Sequence, residues 1–209
     1  DASNYFYETG HFADVDPAFM FDFKPNVIPN DPMFGQLWGL KNNSYPDIDI
    51  NVTAAWDITR GAGAKVAVLD NDLNANLHTL SYDAQTGKSP SVFVNGLSHG
   101  THVAGTVAAV WNNNLQVVGV APEAKIIGVS HDLYLSTTFS AELASGFSWA
   151  WQNGADVLTN SWGDQGGAFY DTMHSAILEQ AIIDAMTKGR DGLGCVVTFA
   201  AGNYSGVMD

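Results

Sequence analysis

Four short apolar runs, each closing on or just before polar residues, restrict what this chain can fold into more than any other feature. They are Lys65-Val-Ala-Val-Leu-Asp70, Lys125-Ile-Ile-Gly-Val-Ser130, Asp156-Val-Leu-Thr-Asn-Ser161 and Gly194-Cys-Val-Val-Thr-Phe-Ala-Ala201. Their length is that of strands, and their continuous apolar character is that of strands covered on both faces. The segments between them carry helical spacing. Residues 102–111 are small and apolar throughout, and Phe139, Leu143, Phe147 and Trp151 recur at every fourth position. Met173, Ile177, Ala181 and Ala185 repeat that spacing, with Asp171 placed to cap the start and Gly189 the end. Such alternation predicts an α/β fold, a parallel sheet with helices on both faces. Ligands of such sheets gather at the carboxyl ends of the strands, which directs attention to Asp70, Ser161 and the residues after Ala201.

Composition removes several function classes. With 46% apolar and 14% charged residues, the 209-residue chain can build a large core. Its formal charge of −14 opposes binding to nucleic acid or to an anionic membrane surface, both of which need clustered Lys and Arg. The sequence has no apolar run of transmembrane length. The single cysteine, Cys195, excludes an internal disulfide and sits in an apolar run, as a buried, inert thiol would. Residues 1–27 are aromatic-rich and broken by Gly10 and Pro17, and three prolines between Pro25 and Pro32 read as an extended connector. Two parts follow: a leading segment, 1–27, and a domain, 28–209.

Asp70 ends a buried strand, where an ionised carboxylate needs donors or a cation. His99 lies in Leu97-Ser-His-Gly-Thr-His-Val-Ala-Gly105. If Asp70 accepts a hydrogen bond from one imidazole nitrogen, the tautomer is fixed and the other nitrogen is free to act as a base. Gly100 and Gly105 are expected to let this helix lie close to its neighbours. Asn203, after Ala200-Ala-Gly202, can aim its amide at a developing oxyanion, and the edge at Asn160-Ser-Trp-Gly163 can pair with an extended peptide. Zinc at His99 and His102 lacks further ligands at suitable spacing. Gly61-Ala-Gly63 precedes its strand instead of following it, so phosphate-cradling geometry is absent.

In order along the chain, Val66-Ala-Val-Leu-Asp70, Ser98-His-Gly-Thr-His-Val-Ala-Gly-Thr106, Val118-Gly-Val-Ala-Pro122, Asn160-Ser-Trp-Gly163 and Ala200-Ala-Gly-Asn203 resemble the subtilisin-like serine proteases, or subtilases. The resemblance implies a serine endopeptidase with an Asp–His–Ser triad that hydrolyses peptide bonds through an acyl-enzyme. Asp70 would orient the imidazole, His99 would be general base and acid, and His102 would be structural. Asn203 would supply an oxyanion-hole amide. Ser161, Trp162 and Gly163 would line the substrate strand, with Trp162 favouring bulky partners, and Ala200, Ala201 and Gly202 would wall the first specificity pocket. Residues 1–27 resemble the tail of the protein's own propeptide, and export from the cytoplasm is the implied location.

The chain also departs from that pattern. It contains no Gly-Thr-Ser-x-Ala motif, and neither Ser161 nor Ser205 has its context, so no nucleophile is assigned. The expectation is a catalytic domain incomplete at its C-terminus, its remaining portion encoded further on or carried on another chain. A non-catalytic, peptide-binding relative is the alternative. In Asp70-Asn71-Asp72 the family usually has a hydroxyl residue and glycine, and the Asp72 charge is expected to raise the pKa of Asp70 or of the imidazole. No cofactor is required. His78-Thr-Leu80 lacks the carboxylate that often joins a calcium site, although the Asn112–Asn114 loop can supply oxygen ligands for a structural calcium.

Overall fold

The computed structural model describes residues 28–73, 80–163 and 174–203. Five strands form one parallel sheet: β1 (Lys65–Asp70), β2 (Ser81–Asp83), β3 (Lys125–Ser130), β4 (Val157–Asn160) and β5 (Val196–Phe199). Their order across the sheet is β2-β3-β1-β4-β5, so β1 is central. Its neighbours are in register at Asp70↔Ser130 on one side and Leu69↔Asn160 on the other. Among the described residues four α-helices accompany them: α1 (Val52–Trp56), α2 (His99–Ala108), α3 (Phe139–Gln152) and α4 (Ala176–Lys188).

Strand side chains alternate between faces, and β1 shows what each face receives. Ala67 and Leu69 join Ile127 and Val129 of β3 against Phe139, Leu143 and Phe147 of α3 and Ala181 and Ala185 of α4. Val68, on the opposite face, packs with Leu73 and with Ala104 of α2. Asp70 continues the even-numbered set and therefore emerges on the α2 side. The predicted α/β architecture, with helices on both faces, is the observed one.

Several boundaries differ from expectation for physical reasons. The helix expected over 102–111 runs from His99 to Ala108. Its last carbonyls are taken up by the crossing segment after it: Val120 N–H donates to Thr106 O, Ala121 N–H to Val107 O, and Gly119 N–H to Ala109 O. Those donors, not a sequence stop signal, end the helix there. Gly105 faces open space, contrary to the expected close approach, and lines an 870 Å³ cavity beside α2. In α4 the buried stripe is Leu178, Ala181, Ile182 and Ala185, while Ile177 is 62% exposed. The cap of α4 is Ser175, whose side chain accepts from Leu178 N–H; Asp171 and Met173 lie outside the described residues. Gly189 does close α4, but in extended conformation, and a side chain there would overlap the Cys195 sulfur. The Cys195 thiol is buried and donates to Ala155 O at 3.0 Å. The three-residue β2 was not foreseen. The leading segment 1–27 falls outside the described residues.

Candidate active site

Asp70 and His99 meet at the carboxyl end of β1. Nδ1 of His99 lies 2.7 Å from Oδ1 of Asp70, and the same oxygen accepts Asn71 N–H at 2.7 Å. The other carboxylate oxygen, Oδ2, is buried without a hydrogen-bond partner among the described residues. Burial raises the Asp70 carboxyl above the usual 3.8, and the hydrogen bond and charge of His99 and the Asn71 N–H pull it back in part. The His99 side chain is 52% exposed and that of Asp70 is 0% exposed. With Asp70 ionised, Nδ1 carries the hydrogen, and Nε2 is the nitrogen left with a free lone pair.

The local sequence dictates this approach. Ser98 precedes α2 in left-handed conformation, with φ 62°, so His99 is the first helical residue. Gly100 N–H donates to Asn71 O at 2.9 Å, and a Cβ on Gly100 would overlap that carbonyl and sit 2.9 Å from the Cβ of Asp70. Only glycine lets the helix start press this closely on the strand end. Thr101 Oγ1 donates to Asp72 O at 3.0 Å, tying the first turn to the same segment.

Asp72 does something other than what its charge suggested. Its carboxylate accepts the main-chain N–H of Ser98, and that of Asn95 at 2.9 Å. The Ser98 N–H chiefly, opposed by burial and aided by the N–H groups of Asn95, Gly96 and Leu97, holds its pKa below 3.8. Its charge is thus directed into the loop that delivers His99, and it is not among the groups that shift Asp70. The expected effect on Asp70 is replaced by a scaffolding one, which depends on loop N–H groups more than twenty residues away and leaves no trace in the local sequence.

The exits of β3 and β4 flank this pair. His131, directly after β3, donates its main-chain N–H to Asp70 O at 3.1 Å. The rule that singled out Asp70, a polar residue at the end of an apolar run, applies equally to His131, which sequence reasoning passed over. Beyond β4, the indole N–H of Trp162 donates to Leu69 O at 3.0 Å, and its ring meets Phe199 edge-on at 5.4 Å. Ser161 is half-buried and Gly163 exposed. Ala200 N–H donates to Asn160 O at 2.9 Å, bringing the exits of β4 and β5 together. Ala200, Ala201, Gly202 and Asn203 are exposed, and Gly202 takes φ 84°. His102 is exposed and stands apart from the Asp70 contact.

Among the described residues no group of three or more His, Cys, Asp or Glu side chains is placed to hold a metal ion. No helix among them is long and apolar enough to cross a membrane.

Comparison with known proteins bears directly on this geometry. The Subtilase family profile matches residues 61–209. Thermitase of Thermoactinomyces vulgaris is 36% identical over 180 residues, covering 84% of this chain and 58% of thermitase. A protein from Nostoc sp. named calcium-dependent protease is 32% identical over 197 residues, covering 84% of this chain and 29% of its own. A solved protease structure from Pseudoalteromonas arctica superposes with TM-score 0.66 at 30% identity, over 85% of this chain and 60% of that one. The chain therefore spans less than two thirds of the length of these relatives. On the family match, the sheet and the Asp70–His99 contact, the chain belongs to the subtilase family.

Proposed function

We propose that the full-length protein is a serine endopeptidase in which Asp70 and His99 are the orienting acid and the general base. The observation that carries this reading is the 2.7 Å contact between a buried carboxylate and a half-exposed imidazole. Nε2 of His99 takes the proton of an attacking serine hydroxyl as the acyl-enzyme forms, then returns it to the leaving amine. Asp70 holds Nδ1–H and stabilises the imidazolium that forms between those events. The nucleophile is assigned to polypeptide outside these 209 residues. Asn203 is the proposed oxyanion donor, Ser161, Trp162 and Gly163 the proposed substrate strand, and Ala200, Ala201 and Gly202 the proposed pocket wall. Peptides or proteins are the substrates, residues 1–27 are the tail of an inhibitory propeptide, and the working location is outside the cytoplasm. Treating the full-length protein with a fluorophosphonate probe tests the assignment. One labelled serine, lost in a His99→Ala variant, is expected; a folded protein that neither labels nor cleaves a peptide library refutes it in favour of a peptide-binding relative.

Structural calcium is also proposed, near the Asn112–Asn114 loop. Asp31 is 3% exposed, its Oδ2 accepts Asn112 N–H at 2.7 Å, and its Oδ1 is buried without a hydrogen-bond partner among the described residues. Asn112 and Asn114 both take φ 60°. The fit is to a hard cation held by oxygen: the Asp31 carboxylate together with amide and main-chain oxygens of the loop. The name of the Nostoc relative supports this reading. Calcium at a hundred times its dissociation constant should add about 2.7 kcal/mol to unfolding. Asp31→Asn should abolish the gain in melting temperature; an unchanged response to calcium and chelator would refute the site.

A further inference from the structure

His131 presents a buried imidazole that the reaction above does not use. It is 0% exposed, and both ring nitrogens are engaged. Nδ1 accepts the main-chain N–H of Leu133 at 2.9 Å, and Nε2 lies 2.8 Å from Oε2 of Glu142 on α3. An N–H donor facing Nδ1 requires that nitrogen to be bare, and a carboxylate facing Nε2 requires a hydrogen there. The ring hydrogen therefore sits on Nε2, facing Glu142, with Asp132 Oδ1 also 3.4 Å from Nδ1. Phe139 packs across it edge to face, with centroids 5.3 Å apart.

The bonds of this ring fix the turn that leaves β3. Leu133 sits at φ 61°, a costly conformation for a leucine. Its N–H bond to His131 helps hold it there, and Gln85 Oε1 accepts the intervening Asp132 N–H at 3.0 Å. On the other side, the main-chain N–H of His131 reaches Asp70 O at 3.1 Å. A continuous path of contacts thus runs from Glu142 on α3, through the His131 ring and main chain, to Asp70 and on to His99.

We infer that His131 is a positioning residue for Asp70. Its doubly bonded ring anchors the exit of β3 to α3, and that exit sets the main chain of Asp70 so that Oδ1 meets Nδ1 of His99. Its effect on turnover rests on the serine-endopeptidase reading; its effect on the Asp70–His99 contact does not. A buried His–Glu pair with a purely structural role would change stability and leave the contact alone.

Two variants of the full-length protein separate these cases. In His131→Gln the amide oxygen can accept Leu133 N–H while the amide NH₂ donates to Glu142. His131→Phe keeps the volume and loses both bonds. The first readout is the low-field proton resonance of His99 Nδ1–H, expected in the parent and in H131Q and lost or shifted upfield in H131F. The second is turnover of a peptide substrate: kcat within about threefold of the parent for H131Q, and lower by about tenfold or more for H131F with KM moved less than about threefold. If H131F does not fold, Glu142→Leu removes the Nε2 acceptor alone and should give the same upfield shift. The inference is overturned if the folded H131F, or E142L in its place, keeps the parent resonance, or if H131Q loses it. Failure of the parent to label with fluorophosphonate would sink the endopeptidase reading separately, with the His99 resonance still deciding for or against His131.

Discussion

Replacing Asp70 with Asn removes the charge of the site while keeping its shape, and the structure sets how large the loss should be. Oδ1 accepts both the Asn71 N–H and the His99 Nδ1–H. An amide oxygen at that position preserves both bonds and the Nδ1–H tautomer, so the loss reduces to one of charge. Two unit charges about 4 Å apart interact by about 4 kcal/mol at an effective dielectric near 20. The half-exposed imidazole lowers this to about 2–4 kcal/mol through solvent screening. At 1.36 kcal/mol per tenfold, kcat should fall by about 30- to 1,000-fold, less than the ~10⁴ of a triad whose tautomer inverts. The amide NH₂ takes the place of the unpartnered Oδ2, leaving a buried donor unsatisfied. Stability responds to pH with a definite sign. Burial raises the Asp70 carboxyl above 3.8, so its contribution is fully present below 3.8 and is lost as pH rises through the raised value. The parent should therefore lose stability relative to D70N between pH 3.8 and that raised value, and the gap should stay constant from there to neutrality. Peptide turnover by the full-length pair, with urea unfolding at acid and neutral pH, measures both. A fall in kcat of less than tenfold or more than 10⁴, or a stability gap that ignores pH, would refute the reasoning.

Three further outcomes follow from particular contacts. Trp162→Phe keeps the packing on Phe199 but leaves Leu69 O without the indole donor, and should lower unfolding free energy by about 1–3 kcal/mol; an unchanged urea midpoint would show that the bond contributes nothing. Gly100→Ala places a methyl group on Asn71 O and should cost about 1–3 kcal/mol while breaking the His99–Asp70 contact; full stability with a parent-like His99 spectrum would contradict the close approach. The Cys195 thiol, raised by burial and secondarily by Asp156 against an opposing Arg190, should resist thiol reagents until the protein unfolds, and rapid labelling of the native protein would count against its burial.

The parts of this fold that could be read from residues alone are those whose burial follows a regular pattern. β1 and β3 were legible to the residue because helices cover both faces, leaving unbroken apolar runs. α3 was legible because Phe139, Leu143 and Phe147 form one stripe toward the sheet. The start of α2 was misplaced by three residues because its Gly, Ala and Thr positions give no stripe, and its true start depends on the left-handed turn at Ser98. β2 is too short, and too polar at Ser81 and Asp83, to rise above a loop. Within the site, the meeting of Asp70 and His99 was legible from type and position. The work of Asp72 was not, because its partners are main-chain N–H groups brought close only by folding. The His131–Glu142 contact spans a turn and a helix start, at a spacing that no periodic rule covers.

The place of β1 has a consequence for how the molecule comes into being. Of the five described strands the one that bears Asp70 comes first in the chain, yet its two neighbours in the sheet are β3 and β4, and β2 is separated from it by β3. While the chain is being synthesised, β1 must wait with both edges bare until segments far downstream arrive, and every pairing it makes closes a long loop. Parallel pairing of that kind is slow, because chain entropy is lost before any rung of the ladder rewards it. The architecture that seats an acid at the centre of the sheet thus also makes the nascent chain prone to wrong partners, and the rate of its assembly a vulnerability of its own.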